Sequence, residues 1–311
     1  MQEPQFSWRF FLPKYWLTWL GITILYIVSW LPYRLQLGLG VVIGRLLYYI
    51  AKRRRHIAKT NIDICFPELS ESAKNNMLKR NFDSVGIAFF ESSMGWFWPK
   101  WRLKPLCHYE GIEHIEEAKK QGKGVLLIAY HMMCLEICGR VLGQKHPNVA
   151  FYRPHNNPLM EYFQYHGRAR DNKYLIGAKN VKGLLKALAD NEACIYLPDQ
   201  DYGRRRSAFV PFFAEQQACT TTGTTLFAGQ SKCAVVIVHP QRLPNAQGYK
   251  ITISPVLDNY PSGDDEADAA RINAMIEQGI RQAPEQYMWL HRRFKTRPDK
   301  QDPSVYARSP K

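Results

Sequence analysis

Apolar and polar positions change rhythm twice along this chain. The first regime opens with residues 15 to 31, an uncharged run from Tyr15 to Leu31. It is just long enough to cross a bilayer, and its aromatic residues Trp16, Trp19, Tyr26 and Trp30 lie toward its two ends, as interfacial anchors do. The pattern predicts an N-terminal transmembrane helix; a buried core helix is the plainer alternative. A second apolar stretch, Leu35 to Ile50, contains Arg45 and the glycines Gly38, Gly40 and Gly44. It reads as an amphipathic or interfacial helix. Asn61 to Ser70 reads as a turn, with Ser70 a helix cap. Leu78, Phe82, Val85 and Phe89 then recur at helical spacing up to Trp96-Phe97-Trp98-Pro99. These aromatics suit a core, or an apolar groove beside a membrane.

From Tyr109 the pattern becomes alternating strands and helices. Strands are expected over 125–130, 149–152, 194–197, 234–238 and 249–253. Helices are expected over 113–120, 158–170, 180–188, 220–230 and 267–282. Such alternation predicts an α/β domain with a mostly parallel sheet flanked by helices. The chain then divides into an N-terminal anchor (1–34), a helical membrane-proximal region (35–108), an α/β domain (109–298) and a loose C-terminal tail (299–311).

Charge adds partners to this outline. The 311 residues carry a formal net charge of +15, which favours anionic partners such as nucleic acid, acidic proteins, anionic lipid or a phosphorylated substrate. Lys52-Arg53-Arg54-Arg55 follows the second apolar stretch, while only Arg9 and Lys14 precede the first. That bias puts the C-terminal side in the cytoplasm and would draw the cluster to anionic head groups. The seven cysteines show no Cys-x-x-Cys or zinc spacing, so reduced thiols are expected.

Candidate chemistry centres on the apolar strand Val125 to Tyr130, which ends on His131 with Glu136 five residues on. Positions five apart lie about 140° around a helix axis and do not face each other. For the two side chains to meet, His131 must sit in the strand-to-helix turn and Glu136 on the first helical turn. Glu136 would then hold one ring nitrogen and leave the other as a base; a half-buried histidine near a solvated helix start is the bland alternative. No His-Glu-x-x-His helix, phosphate loop or Gly-x-Ser-x-Gly elbow is present, so no metal or cofactor is expected. A His/acid pair without a built-in nucleophile suits a base that activates a substrate hydroxyl. Arg153, Arg168, Arg170 and Arg204, with Arg205, Arg206, Arg292, Arg293, Lys295 and Arg297, gather near expected strand ends. Arginine forks there could bind phosphates or carboxylates. Asp199 and Asp201 follow a strand and could orient an arginine or a substrate group, or simply form the turn.

These residues, with ordered blocks along nearly the whole chain, resemble the secondary acyltransferases of lipid A biosynthesis. The blocks are Tyr15-Trp-Leu-Thr-Trp19, Cys65-Phe-Pro-Glu68, Phe82-Asp-Ser-Val-Gly86, Trp96-Phe-Trp-Pro99 and His131-x4-Glu136. They continue with Tyr152-Arg-Pro-His-Asn-Asn-Pro158, Pro198-Asp-Gln-Asp-Tyr-Gly203, Phe209-Val-Pro-Phe-Phe213, Thr220-Thr-Thr-Gly223 and the long block Pro284 to Pro298. The resemblance implies a bacterial inner-membrane enzyme with a glycerolipid-acyltransferase-like fold, one N-terminal membrane pass and a cytoplasmic catalytic domain. It implies transfer of a fatty acyl chain, lauroyl above all, from acyl carrier protein to a 3-hydroxyacyl group of Kdo2-lipid IVA. His131 and Glu136 match the family's catalytic pair, and Arg168 falls where such enzymes carry an acceptor-binding arginine. Another chain length (myristoyl, palmitoleoyl), or a lysophospholipid or mannolipid acceptor, is the alternative within enzymes. A membrane-bound anionic-lipid- or nucleic-acid-binding protein is the alternative outside them; it leaves the His/acid pair without a use, and no nucleic acid partner is expected.

Overall fold

The structure, a computed structural model, describes residues 3–307; the ends of the expected anchor (1–2) and tail (308–311) lie outside the described residues. Two short 3-10 turns, Trp8–Phe11 and Pro13–Tyr15, lead into α1 (Trp16–Ser29). Helices α2 (Tyr33–Ile50), α3 (Lys52–Cys65), α4 (Glu71–Phe97) and the single turn α5 (Lys100–Leu103) follow. The expected turn over 61–70 begins only at Phe66. Ile57, Ala58, Asn61, Ile62 and Cys65 are buried at helical spacing and carry α3 through the first half of it. Ser70 caps α4, its hydroxyl accepting the Ala73 N–H at 3.2 Å.

The expected span is short. α1 has 14 residues, about 21 Å of helix against a hydrocarbon core of about 30 Å. Among the described residues no single helix is long and apolar enough to cross a membrane. α2 and α3 pass such a test only as a pair, and they meet at a 95° bend.

The remaining elements alternate: β1 (Cys107–Glu110), α6 (Glu113–Lys120), β2 (Val125–Ile128), α7 (Leu135–Lys145), β3 (Val149–Tyr152) and α8 (Pro158–Ala169). Then come β4 (Tyr174–Gly177), α9 (Val181–Ala189), β5 (Ala193–Tyr196), β6 (Ser207–Phe212), β7 (Glu215–Thr221) and α10 (Gly223–Ser231). The chain closes with β8 (Ala234–Arg242), β9 (Tyr249–Ile253) and α11 (Asp265–Gln282). Seven strands form one sheet in the order β1-β9-β8-β2-β5-β3-β4, and β6 and β7 form a separate hairpin. Every neighbour in the large sheet is parallel except β8 and β9. The helix expected from Thr220 starts at Gly223, because Thr220 and Thr221 finish β7. The boundary expected at 109 falls inside β1.

β2 is the central strand. All four of its residues are buried, as befits a parallel strand covered on both faces. One apolar core runs from Ile57 on α3 to Tyr306 near the C-terminus, so the helical region is packed into the α/β body. The expected loose tail is pinned at Tyr306, which is 5% exposed. Its hydroxyl donates to Asn61 Oδ1 at 2.5 Å and accepts the Phe294 N–H at 2.9 Å. α2 lies directly on α4. A Cβ on Gly44 would come within 2.1 Å of the Phe82 carbonyl oxygen, and one on Gly86 within 2.0 Å of the Gly40 carbonyl oxygen. Two backbones this close leave no room for a side chain at either position.

Candidate active site

Ligand and reaction sites in α/β sheets lie outside the carboxyl ends of the strands. Here the parallel register of the two central strands builds the site. Ile128 on β2 pairs with Tyr196 on β5, and Ala129 N–H still donates to the Tyr196 carbonyl at 3.0 Å. Three residues past that pair stand His131 on one strand and Asp199 on the other, and they bond. His131 Nδ1 lies 2.7 Å from Asp199 Oδ1, and the His131 backbone N–H donates to Asp199 Oδ2 at 2.9 Å. Tyr287 donates its hydroxyl to Asp199 Oδ2 at 3.0 Å. Burial of Asp199 alone would push its pKa up, but the charge of His131 and the hydrogen bonds from His131 and Tyr287 hold it below the usual carboxylate range. A carboxylate only accepts, so Nδ1 carries the hydrogen of the neutral ring and the lone pair sits on Nε2. The His131 side chain is 21% exposed, so the ring is open on one side.

The main chain fixes this turn from a second direction. His131 O accepts the Met288 N–H at 2.9 Å, and Met133 N–H donates to Gln286 O at 2.6 Å. Segment 286–288 thus lies as a short antiparallel bridge against residues 131–133. Asn61 on α3 and Asn81 on α4 hold the same segment through its carbonyls, Asn61 at Trp289 and His291, Asn81 at Glu285 and Tyr287.

Glu136 sits on the first turn of α7, as expected, but its carboxylate belongs to another set of partners. Arg168 on α8 grips it in two-point fashion, Nε to Oε1 at 2.8 Å and Nη2 to Oε2 at 2.7 Å. Trp96, at the end of α4, donates its indole N–H to Oε1 at 2.7 Å. The ring of Trp96 reaches that place because α8 has Gly167 beside it, where a Cβ would fall 2.6 Å from the ring. Burial would raise the Glu136 pKa; the Arg168 charge with its hydrogen bonds and the Trp96 N–H lower it overall. The expectation that Glu136 fixes the tautomer of His131 is therefore corrected: Asp199 holds that position. Glu136 instead fixes Arg168 at the rim of the same turn.

The other expected site residues separate. Arg153 is exposed one residue beyond β3. Arg170 donates to the Phe97 and Trp98 carbonyls at 3.0 and 3.2 Å and ties α8 to the end of α4. Asp201 is buried and accepts from the Thr296 N–H and hydroxyl, both at 2.8 Å. Arg204 donates to the carbonyls of Arg297 and Pro298. Asp201 and Arg204 thus fasten residues 296–298 rather than face His131. Two site residues escaped the sequence reading. In the sequence Trp96 reads as an apolar ring, although its N–H is a polar handle. Tyr287 lay in a block read for its arginines. Among the described residues no group of three or more His, Cys, Asp or Glu side chains is gathered as a metal site. A cavity of about 700 Å³ opens between His114, Lys123, Ala234 and Tyr260, at the opposite, amino end of β2 and β8.

The family described as bacterial lipid A biosynthesis acyltransferase matches residues 3–296. The chain is 44% identical to the lipid A biosynthesis lauroyltransferase of Escherichia coli (strain K12), over 95% of this chain and 97% of that one. It is equally, 44%, identical to the lipid A biosynthesis palmitoleoyltransferase of the same organism, over 94% and 96% of the two chains. The lipid A biosynthesis myristoyltransferase of that organism is 27% identical over 94% and 91%. A solved structure, the 1-acyl-sn-glycerophosphate (LPA) acyltransferase PlsC from Thermotoga maritima, aligns with a TM-score of 0.37 and 15% identity over 78% of this chain and 97% of that one, too distant a likeness to build on.

Proposed function

The chain belongs to the bacterial lipid A biosynthesis acyltransferases, and from that premise we propose that it moves a lauroyl chain from acyl carrier protein to a 3-hydroxyacyl group of Kdo2-lipid IVA. The observation that carries the mechanism is the His131 ring, held at Nδ1 by buried Asp199 and open at the other nitrogen. Nε2 takes the proton from the acceptor's secondary hydroxyl as its oxygen attacks the thioester carbonyl. The tetrahedral intermediate collapses, the C–S bond breaks, and the departing thiolate recovers the proton from Nε2. The products are an ester on the lipid and a free carrier thiol. Asp199 stabilises the transient imidazolium without itself taking the proton, and Tyr287 fixes Asp199. Arg168, set in place by Glu136 and Trp96, binds an anionic group of the acceptor. The reading places the enzyme at the bacterial inner membrane with this site on the cytoplasmic side, where the carrier protein is.

The test is the rate of acyl transfer from lauroyl carrier protein to Kdo2-lipid IVA. His131→Ala should lower kcat by about 10²–10⁴-fold, and Asp199→Asn by at least about 10²-fold with the fold intact. Full activity in either variant overturns the assignment of that residue. Equal identity to a palmitoleoyl enzyme makes palmitoleoyl the second reading for the chain, so palmitoleoyl carrier protein belongs in the same assay. The preferred donor is the one with the higher kcat/KM.

A further inference from the structure

β2 and β8 part company before β8 ends. Their pairing stops at Ile128 and Ile237, since the chain turns away toward His131, while β8 runs on to Arg242. The backbone N–H and C=O of Arg242 thus lie where the neighbouring strand has left, and buried backbone groups need partners. The side chain of Gln286 supplies both. Its Oε1 accepts the Arg242 N–H and its Nε2 donates to the Arg242 carbonyl, each at 2.9 Å. One amide side chain stands in for a missing strand.

The same residue holds the turn that carries the base. Its carbonyl accepts the Met133 N–H at 2.6 Å, and two residues on, the Met288 N–H donates to His131 O at 2.9 Å. Behind Gln286, the Arg242 guanidinium is fixed in its turn. Nη1 donates to Glu91 Oε1 at 2.9 Å and Nη2 to Ser84 Oγ at 2.8 Å. Ser84 and Glu91 lie two turns apart on one face of α4. Gln286, Arg242, Glu91 and Ser84 are all buried, so water does not compete for these bonds. A buried ion pair adds little to stability compared with well-packed apolar side chains. What it fixes here is direction, that of the end of β8 against α4.

We propose that Gln286 is a positioning residue for the base, joining the buried Arg242–Glu91 pair to the His131 turn; this rests on the acyl-transfer reading of His131. Asp199 aims the ring from the end of β5, and Gln286 aims it through the main chain. Without the Gln286 side chain, Asp199 remains but the turn is loosened, and the ring shifts relative to the acyl carbonyl. A misplacement of about 1 Å costs about 10²-fold in rate. Groups that bind the substrates are untouched, so the loss falls on kcat.

Gln286→Met keeps the length of the side chain and removes both bonds to Arg242. It should lower kcat at least about tenfold, with KM for lauroyl carrier protein and for Kdo2-lipid IVA within about twofold of the parent. Gly111→Ala is the reference for lost stability alone, since its Cβ would fall 2.1 Å from the Ile253 carbonyl oxygen, beside edge strand β1. It should keep kcat within about twofold when assayed well below its midpoint. Backbone hydrogen exchange across 131–138, measured equally far below each midpoint, should be faster in Gln286→Met than in Gly111→Ala. Glu91→Gln leaves an acceptor for Nη1 and disturbs no backbone bond; it should lower kcat about threefold or more, and the double variant should lose less than the product of the two. A smaller fall in kcat, a fall carried by KM, exchange no faster than in Gly111→Ala, or losses that multiply would each overturn the proposal. Should Gln286→Met not fold, kcat and exchange of Glu91→Gln decide alone. A parent that transfers neither lauroyl nor palmitoleoyl would count against the acyl-transfer reading, and the exchange rates would still decide the positioning.

Discussion

At the scale of single residues, two carboxylates near one turn have been given different work by their neighbours. Asp199 faces a ring and a hydroxyl; Glu136 faces a guanidinium and an indole. Glu136 and Arg168 therefore act as one unit. Glu136→Gln and Arg168→Gln should each lower kcat/KM, and the double variant should lose less than the product of the two. The coupling expected from such a cycle is about 1–3 kcal/mol in transition-state free energy. His239, whose Nδ1 lies 3.0 Å from the Tyr130 hydroxyl, offers a pH test of stability. Burial pushes its pKa down to about 4, whereas an unfolded histidine titrates near about 6.5. The unfolded chain thus takes up the proton first, so this contribution to stability is complete above about pH 6.5 and is lost as pH falls toward about 4. His239→Gln should flatten the loss of denaturation midpoint across that window. That His131 is a candidate was legible from an apolar strand ending on a histidine, against an equal reading as a half-buried histidine. Its partner was not. Nearness in sequence favours Glu136, while the partner stands 68 residues away and is brought in by strand register.

At the scale of elements, the long helix α4 is the surface on which α1, α2, α3, α7 and α8 are laid, and its closest neighbour touches it through glycines. Gly86→Ala should cost about 3 kcal/mol in a denaturant titration, because the added methyl meets α2 backbone rather than a movable side chain. Gly38→Ala, also on α2 but with nothing within 4 Å of the new methyl, should be neutral or stabilising by up to about 1 kcal/mol. The periodic helices and the apolar strands β2, β3, β5, β8 and β9 could be read from pattern. β1 and β4 could not: Cys107-His-Tyr-Glu110 and Tyr174-Leu-Ile-Gly177 are four-residue edge strands with mixed side chains. The β6–β7 hairpin was hidden by a polar run, Glu215-Gln-Gln217, on its outer strand.

At the scale of the whole molecule, the C-terminal residues close the structure. Residues 284–306 pass between α3, α4 and the His131 turn, and Tyr306 joins Asn61 to Phe294. Tyr306→Phe should cost about 1–3 kcal/mol, since it leaves a buried carbonyl oxygen and a buried N–H without their partner; a lower denaturation midpoint with unchanged KM would show it. The α/β class and the helical N-terminal region were legible from periodicity. A tail of Pro, Lys and Asp gave no hint that a single tyrosine within it would be buried, because composition averages over the one residue that matters.

That closure also orders events in time. A chain is made from its N-terminus at about 5–20 residues per second, so His131 and Asp199 exist well before Tyr287 and Met288 do. Until those last residues arrive, the Asp199 carboxylate lacks its phenol and the His131 carbonyl lacks its amide partner. Contacts such as Asn61 to Trp289, 228 positions apart, must wait for nearly the whole polypeptide, which makes folding slow to finish. The hydrogen-bonded setting of the His131 ring is thus completed only at the end of synthesis.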